Sequence, residues 1–338
     1  MGRTATIQDV ARLAGVSTAT VSRALSSPGM VAEATRAAVL EAVRATGFRR
    51  NPLAANLRRR RTGGVIALAP NLANPFFSEI LAGVASVLAP AGYGLLVADT
   101  RTGPDPDARL AQFLGAGVAD GLLLLDGGLS PGPLSAPGHR PAIAVCERLD
   151  APIPSVTVEN AQGAGLAARH LAALGHRRIG HVTGPAGNVL TAARLAGFCA
   201  ALEDLGLAAR PEWILPGDFS IASGARAALA WMALPDRPTA LFCASDEMAL
   251  GFLGAVQRAG LAVPRDLSLV GFDDLEIAGH LTPPLATIRQ PRRRIGERAA
   301  TLLLGMIEAG TAFCDSEVMP VELVPRASAG PPPAARRA

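Results

Sequence analysis

No lysine occurs among the 338 residues; the 32 strongly basic side chains are all arginine. A Walker A phosphate loop needs lysine, and so does a Schiff-base or pyridoxal-phosphate enzyme, so those classes are excluded. Cysteine is scarce too. Cys146, Cys199, Cys243 and Cys314 are widely spaced, lie in apolar contexts and form no CxxC. They read as buried free thiols in a reducing compartment, and no structural zinc is expected. No apolar run reaches the length of a membrane span; the longest candidate, Gly121 to Leu125, is strand-sized. The opening segment MGRTATIQDVARLAG has no unbroken apolar stretch before a small-residue cleavage site, so no secretory signal is expected and the cytoplasm is the expected compartment. The five histidines, at 139, 170, 176, 181 and 280, form no HExxH, and there is no GxSxG elbow. No nucleophile, metal or acid–base constellation stands out. An enzyme is not expected, and neither a cofactor nor a metal site.

What the chain does have is a marked charge asymmetry. Residues 1–61 carry eleven arginines against Asp9, Glu33 and Glu41, a balance of +8. The whole chain is +4, so the remainder is −4. A basic module ahead of a mildly acidic body is the electrostatic footprint of a nucleic-acid binder. Nearly half the residues are hydrophobic, and the length suits two or three domains with sizeable cores.

Residues 6–25 read TIQDVARLAGVSTATVSRAL. Ile7, Val10, Ala11 and Ala14 recur at i, i+3, i+4, i+7 and mark one helix face. Thr6 is placed to cap this helix, with Asp9 completing a capping-box pattern, and Gly15 is the natural residue to end it. Val16 turns inward. Ser17 caps a second helix that buries Val21 and Leu25. A third helix, Ala32 to Thr46, offers Ala34, Ala38, Val39, Ala42 and Val43, and ends at Gly47. Two short helices joined by a glycine turn and backed by a third form a helix-turn-helix unit. Its second helix is expected in the major groove, with Thr18, Ala19 and Arg23 at base edges. Ser17, Thr20 and Ser22 are expected as phosphate contacts or caps, and Thr6 is grouped with the DNA-binding residues.

Beyond Thr62 the pattern changes. VIALA (65–69), GLLVA (94–98), GLLLL (121–125), IGHVT (179–183), ALFCA (240–244) and LSLVG (267–271) alternate with helical stretches, as in parallel α/β folds. The pattern restarts near Asn160, which suggests two similar lobes. Ligands of such sheets bind at the carboxyl ends of strands. Asn71 and Phe76 follow the first strand, Asp126 the third, Ser245 and Asp246 follow ALFCA, and Asp273 follows LSLVG. One of Phe76 and Phe77 is expected at the site and the other in the core. GAGLAA (163–168) has the form of a dinucleotide fingerprint but lies inside a helix without the strand-turn context, so it reads as a packing run.

The headpiece stretch resembles the signature of the lactose-repressor (LacI/GalR) family of bacterial regulators. So do NPFFSEI (74–80), LGHRRIGHVTGP (174–185), RLAGF (194–198), ASDEMALG (244–251), GFDD (271–274) and PPLATIRQP (283–291). GDF at 217–219 is most like the branch of cytidine and purine regulators. The resemblance implies an all-α headpiece over 1–50 and a hinge helix and linker over 51–62. It further implies a two-lobed periplasmic-binding-protein-like body over 63–330. The N-lobe would hold about 63–159 and 291–319, the C-lobe about 160–288 and 321–327, with a disordered tail at 331–338. In the hinge segment NPLAANLR, Asn51, Ala54, Leu57 and Arg58 would meet DNA, Leu57 as a wedge between bases in the minor groove. The family often has proline just before the hinge Asn; here that site is Arg50, with Pro52 after it. In the body, Phe76 and Phe219 would stack on a ring or sugar face, Arg194 would bond ligand oxygens and Asp273 would accept from hydroxyls. Asn188 stands where the purine repressor has arginine, which favours a nucleoside or sugar over a free purine base. Glu159 replaces the Asp usual in the family's DN pair. The implied partners are double-stranded DNA with a pseudo-palindromic operator, a small sugar or nucleoside effector, and a second copy of the chain, with a tetramer as the alternative; no membrane is involved. The competing reading is a solute-binding protein for sugar uptake, which would need export and freedom from DNA.

Overall fold

The computed structural model describes residues 5–48, 61–101, 106–115, 117–135 and 140–333. The chain divides into two compact units, Met1–Gly63 and Gly64–Ala338.

The first unit holds three helices, α1 (Ile7–Ala14), α2 (Thr18–Ser26) and α3 (Glu33–Thr46). Thr6 donates from its amide (3.0 Å) and its hydroxyl (2.7 Å) to Asp9, which fixes the start of α1. Gly15 ends it at φ 66°, a left-handed conformation that costs glycine little. Ser17 Oγ accepts from the Thr20 amide at 3.1 Å and caps α2. Val10, Ala11, Val21, Ala24, Val39 and Ala42 form the core, with Ile7, Ala14, Val16, Leu25 and Val43 packed at its edge. Ala34 and Ala38 are exposed. The buried stripe of α3 runs through Val39 and Ala42, so these two alanines fall on the solvent side.

The second unit contains two six-stranded sheets. The strands are β1 (Gly64–Ala69), β2 (Gly94–Asp99), β3 (Gly121–Leu124), β4 (Ala142–Val145), β5 (Ser155–Val158) and β6 (Ile179–Val182). They continue with β7 (Ile214–Leu215), β8 (Ala240–Cys243), β9 (Ser268–Asp273), β10 (Ala286–Arg289), β11 (Glu317–Met319) and β12 (Glu322–Val324). The first sheet runs β11-β5-β4-β3-β1-β2 and the second β12-β10-β9-β8-β6-β7. Neighbours are parallel except β10 and β12. The chain therefore passes between lobes three times, after β5, after β10 and between β11 and β12.

The helices are α4 (Phe76–Leu88), α5 (Pro106–Gly115) and α10 (Arg292–Ala309) with the first sheet, and α6 (Asn160–Ala173), α7 (Val189–Asp204), α8 (Ile221–Ala233) and α9 (Asp246–Arg258) with the second. All six strand stretches read from the sequence are strands. β4, β5, β7, β10 and β11 are not among those stretches; they are short, but β3, β6 and β8 have only four residues as well, so length alone does not separate the two groups. The GAGLAA run lies inside α6. A Cβ on Gly163 would sit 2.7 Å from the Phe272 ring, so the small residues serve to seat the helix on the sheet. Likewise α4 and α10 approach so closely that a Cβ on Gly83 would meet Arg293 O at 2.1 Å, and one on Gly296 would meet Ile80 O at 2.0 Å.

Of the tail expected over 331–338, the described chain includes residues 331–333. Ser328 is fully buried, and His176 Nε2 donates to Gly330 O at 2.9 Å while its Nδ1 meets the Thr239 hydroxyl at 2.8 Å. These bonds anchor the segment. Residues 334–338 lie outside the described residues. Of the four cysteines, all free, Cys146 and Cys243 are buried but Cys199 and Cys314 only partly so. Among the described residues no helix is long and apolar enough to cross a membrane.

His181 lies in the second core, stacked on Phe242 at 4.7 Å and on Phe198 at 5.1 Å, with Nδ1 donating to Phe242 O at 2.9 Å. Burial pushes its imidazole down to about 4. The unfolded chain therefore takes up this proton first, near the usual pKa of ~6.5. The contribution is complete above that pH and is lost as pH falls toward 4. Urea denaturation between pH 7 and 5 is expected to show stability falling more steeply, by about 1 kcal/mol per pH unit, in the native chain than in His181→Phe. Equal slopes would contradict this account.

Candidate functional site

A cavity of about 430 Å³ lies between the two sheets. Its walls are the loops at the carboxyl ends of strands. From the first lobe come Asn71, Asn74 and Phe76 after β1, Arg101 after β2, Asp126 after β3, and Cys146 and Glu147 after β4. From the second come Asn188 and Arg194 after β6, Asp218 and Phe219 after β7, Ser245 and Glu247 after β8, and Asp273 at the end of β9. In each sheet the order reverses, around β1 and β3 in one and β6 and β8 in the other, which is where such folds open a crevice. A larger groove of about 800 Å³ lies by the crossover into α10. Its lining contains no aromatic ring, and its Arg289 is paired with Asp274 and Glu322. The smaller cavity is the better ligand site, because it combines rings from both lobes with buried polar groups.

Arg194 is the most constrained residue of the site. It is 3% exposed. Its Nε donates to Asn160 Oδ1 at 2.9 Å and its Nη1 to Ala244 O at 2.5 Å. Nη1 lies 4.0 Å from Asp273 Oδ1, and the guanidinium stacks 3.7 Å above the Phe272 ring. Nε and Nη1 are thus committed to the protein, and only the remainder of the group is available to the cavity. Asp273 takes φ 120° and accepts from Gln290 Nε2 at 2.7 Å. Burial pushes its carboxyl up to about 6, with Arg194 and Gln290 pulling the other way.

Phe76 and Phe77 meet edge to face at 5.2 Å. Phe76 is half-buried, and Phe77 is buried in the first lobe's core although it also touches the cavity. Asn74 Oδ1 accepts from the Phe76 amide at 2.7 Å and Asn71 Oδ1 from the Ala73 amide at 3.0 Å, so both carbonyls shape the loop. Phe219, at φ 64°, lays its ring against Gly184, where a Cβ would lie 2.3 Å from the ring. Asp126 accepts from the Thr100 hydroxyl and from the Gly128 amide.

The structure brings Asn71, Phe76, Asp126, Asn188, Arg194, Phe219, Ser245 and Asp273 to one cavity. Asp246 is a correction, since it does not line it. Asp246 is buried beneath, accepting from Thr287 Oγ1 at 2.6 Å and the Leu275 amide at 2.8 Å. Its neighbour Glu247 lines the cavity instead, pushed up to about 7 by burial and by Asp273. Ser245 Oγ accepts from the Met248 amide at 3.2 Å and caps α9. Glu147 went unread because its strand did. Burial raises its carboxyl above the ordinary range, Asp126 adds to this, and hydrogen bonds from Asn188 and Gly127 oppose it. Asp218 and Arg101 were also unread. The cavity thus presents the carboxyl groups of Asp126, Glu147, Asp218, Glu247 and Asp273 with the guanidiniums of Arg101 and Arg194, Asp218 being paired with Arg226 at 2.9 Å. With Glu147, Glu247 and Asp273 all shifted toward their neutral forms by burial, this lining suits neutral ligands rich in hydroxyls.

In the first unit, Thr18, Ala19 and Arg23 are exposed on α2. Ser17 and Thr20 are tied to one another by the cap, their hydroxyls 2.9 Å apart, and Thr6 to Asp9. Ser22 is partly buried. Asn51, Ala54, Leu57 and Arg58 lie outside the described residues.

Comparison with known proteins agrees with this arrangement. Residues 6–51 match the model of bacterial regulatory proteins of the lacI family, and residues 168–329 that of a periplasmic binding protein-like domain. The HTH-type transcriptional repressor CytR of Escherichia coli K12 is 38% identical over 328 residues, 96% of either chain. The repressor PurR of Aliivibrio salmonicida is 36% identical over 90% of this chain and 92% of its own. The lac repressor dimer bound to operator and the anti-inducer ONPF superposes with a TM-score of 0.84 at 30% identity, covering 97% of this chain and all of that one. A complex of the regulator CelR with cellobiose gives 0.73 at 33% identity, over 96% and 99%.

Removing one partner from a buried ion pair leaves the other uncompensated. Arg194→Met is therefore expected to lower unfolding free energy by about 3–5 kcal/mol in urea. Adding Asp273→Asn to it should recover part of the loss. A single variant within about 1 kcal/mol of the native chain would contradict this.

Proposed function

The chain belongs to the lacI family of bacterial regulatory proteins and is a DNA-binding transcriptional repressor rather than an enzyme; from that premise we propose that its effector is an uncharged nucleoside or sugar bound in the interlobe cavity. The observation that carries this is the pairing of a ring from each lobe, Phe76 and Phe219, with the buried acceptor Asp273 in one acidic cavity. Aromatic faces take a base or the apolar face of a sugar, and a carboxylate at a strand end takes hydroxyls. A phosphate ester would bring a charge into a lining of five carboxyl groups whose burial already disfavours the charged form at Glu147, Glu247 and Asp273. Asn71, Asp126, Asn188, Arg194 and Ser245 complete the proposed contacts. Asp246 is not among them.

On the DNA side, Thr18, Ala19 and Arg23 read base edges, with Ser17, Thr20, Ser22 and Thr6 at or near the backbone. Leu57, supported by Asn51, Ala54 and Arg58, wedges into the minor groove. Two copies of the chain bind a pseudo-palindromic operator in the cytoplasm. A solute-binding role is set aside, because residues 6–51 match a DNA-binding family.

Thermal denaturation of the full chain tests the effector class. A neutral nucleoside or sugar at 100 times its dissociation constant is expected to raise the Tm by several degrees, since it adds about 2.7 kcal/mol to the folded state. The 5′-phosphate of the same nucleoside is expected to leave it unchanged. A shift produced by phosphates alone would overturn the proposal. For the DNA side, Arg23→Ala is expected to cost about 1–3 kcal/mol on an operator selected from random DNA, at fixed salt. Leu57→Ala should likewise lose specific affinity while retaining non-specific binding. Unchanged operator affinity in either variant would remove that residue from the interface.

A further inference from the structure

The two lobes are joined within the cavity by a direct side-chain hydrogen bond. Asn188 Nδ2, from the lobe of the second sheet, donates to Glu147 Oε2, from the lobe of the first, at 3.0 Å. Both partners are held in place by their own lobes. Asn188 Oδ1 is occupied as the cap of α7, accepting from the Leu190 amide at 2.8 Å and the Thr191 amide at 3.2 Å. That cap settles which end of the amide faces the cavity and leaves the NH₂ to point at Glu147. Glu147 Oε2 also accepts from the Gly127 amide at 3.1 Å. It can sit there because residue 127 has no side chain: a Cβ would lie 2.0 Å from that oxygen. Donor and acceptor are therefore positioned before they meet, and the acceptor is a carboxylate, which makes the bond stronger than a neutral one. Asn188 begins the helix that carries Arg194, so the bond ties the other lobe to the element holding the buried guanidinium.

We propose that Glu147 and Asn188 form an interlobe latch that favours the closed cavity in the ligand-free protein and thereby sets effector affinity. The second half of this statement rests on the effector reading given above; the first half does not. A ligand that binds the closed arrangement pays only for whatever fraction of the protein is open, so a stronger latch lowers the effector concentration needed.

The test uses the full chain and three variants. Asn188→Ser keeps a capping oxygen but is too short to reach Glu147. Glu147→Ala removes the acceptor, and the double variant completes a mutant cycle. The ligand-free urea midpoint and the half-saturating concentration of the nucleoside or sugar that raises the Tm are measured for each. Asn188→Ser and Glu147→Ala are each expected to lower the midpoint and weaken ligand about tenfold. The double variant should be no weaker than the worse single variant within threefold, because both substitutions remove the same bond. If Asn188→Ser leaves the ligand-free midpoint unchanged, or if the two losses simply add, there is no latch. If the double variant does not fold, the midpoint of Asn188→Ser decides alone. Should no nucleoside or sugar bind any form, the effector reading fails, while the ligand-free midpoints still decide the latch.

Discussion

A single buried cation constrains this structure more than any other group. Arg194 cannot lose its charge, and taking it out of water costs several kcal/mol unless every donor finds a partner. Its partners come from four places: Asn160 at the start of α6, Ala244 at the end of β8, Asp273 at the end of β9 and the Phe272 ring. Those ends have to converge for the charge to be tolerated, and where they converge is one wall of the cavity. The site is thus not an addition to a finished fold. The interaction that closes the second lobe also builds the ligand-facing surface, and the left-handed backbone of Asp273 is part of that arrangement.

The rest of the body supports this by close packing. Helices pair through glycines, as with Gly83 and Gly296 between α4 and α10. Between α8 and α9, a Cβ on Gly224 would meet Met248 O at 1.9 Å and one on Gly251 would meet Ile221 O at 1.8 Å. Such contacts leave little room for helices to slide within a lobe. Motion is directed instead to the three crossovers and to the polar contacts across the cavity, which is what a ligand-driven switch requires.

Much of this was legible in the sequence, for identifiable reasons. The headpiece announces itself through local rules: a cap at Thr6, a left-handed Gly15, a second cap at Ser17. Runs such as GLLLL and ALFCA are legible even though only four residues of each pair in the sheet. AIAV at β4, of the same length, is not among the stretches read, and with it goes Glu147, which is positioned by that strand's end. The rule that ligands gather at strand ends found Asn71, Asp126, Ser245 and Asp273, while Phe219, Arg194 and Asn188 came through family resemblance. The rule mistook Asp246 for its neighbour Glu247. Consecutive residues in a helix's first turn point about 100° apart, so one turned down onto the sheet and the other into the cavity, and the sequence does not say which. The basic segment holding Asn51 to Arg58 lies outside the described residues, and the reading of it rests on resemblance.

The central claim is that the cavity and the headpiece share one free-energy balance. The most direct test measures the affinity of the full chain for its operator, at one fixed salt concentration, with and without a saturating neutral effector, and in turn the effector's affinity with and without operator. The expected result is a change of at least about tenfold in operator affinity, matched by the same factor in effector affinity, as linkage demands. A ligand that fills the cavity and leaves operator affinity unchanged would contradict the account.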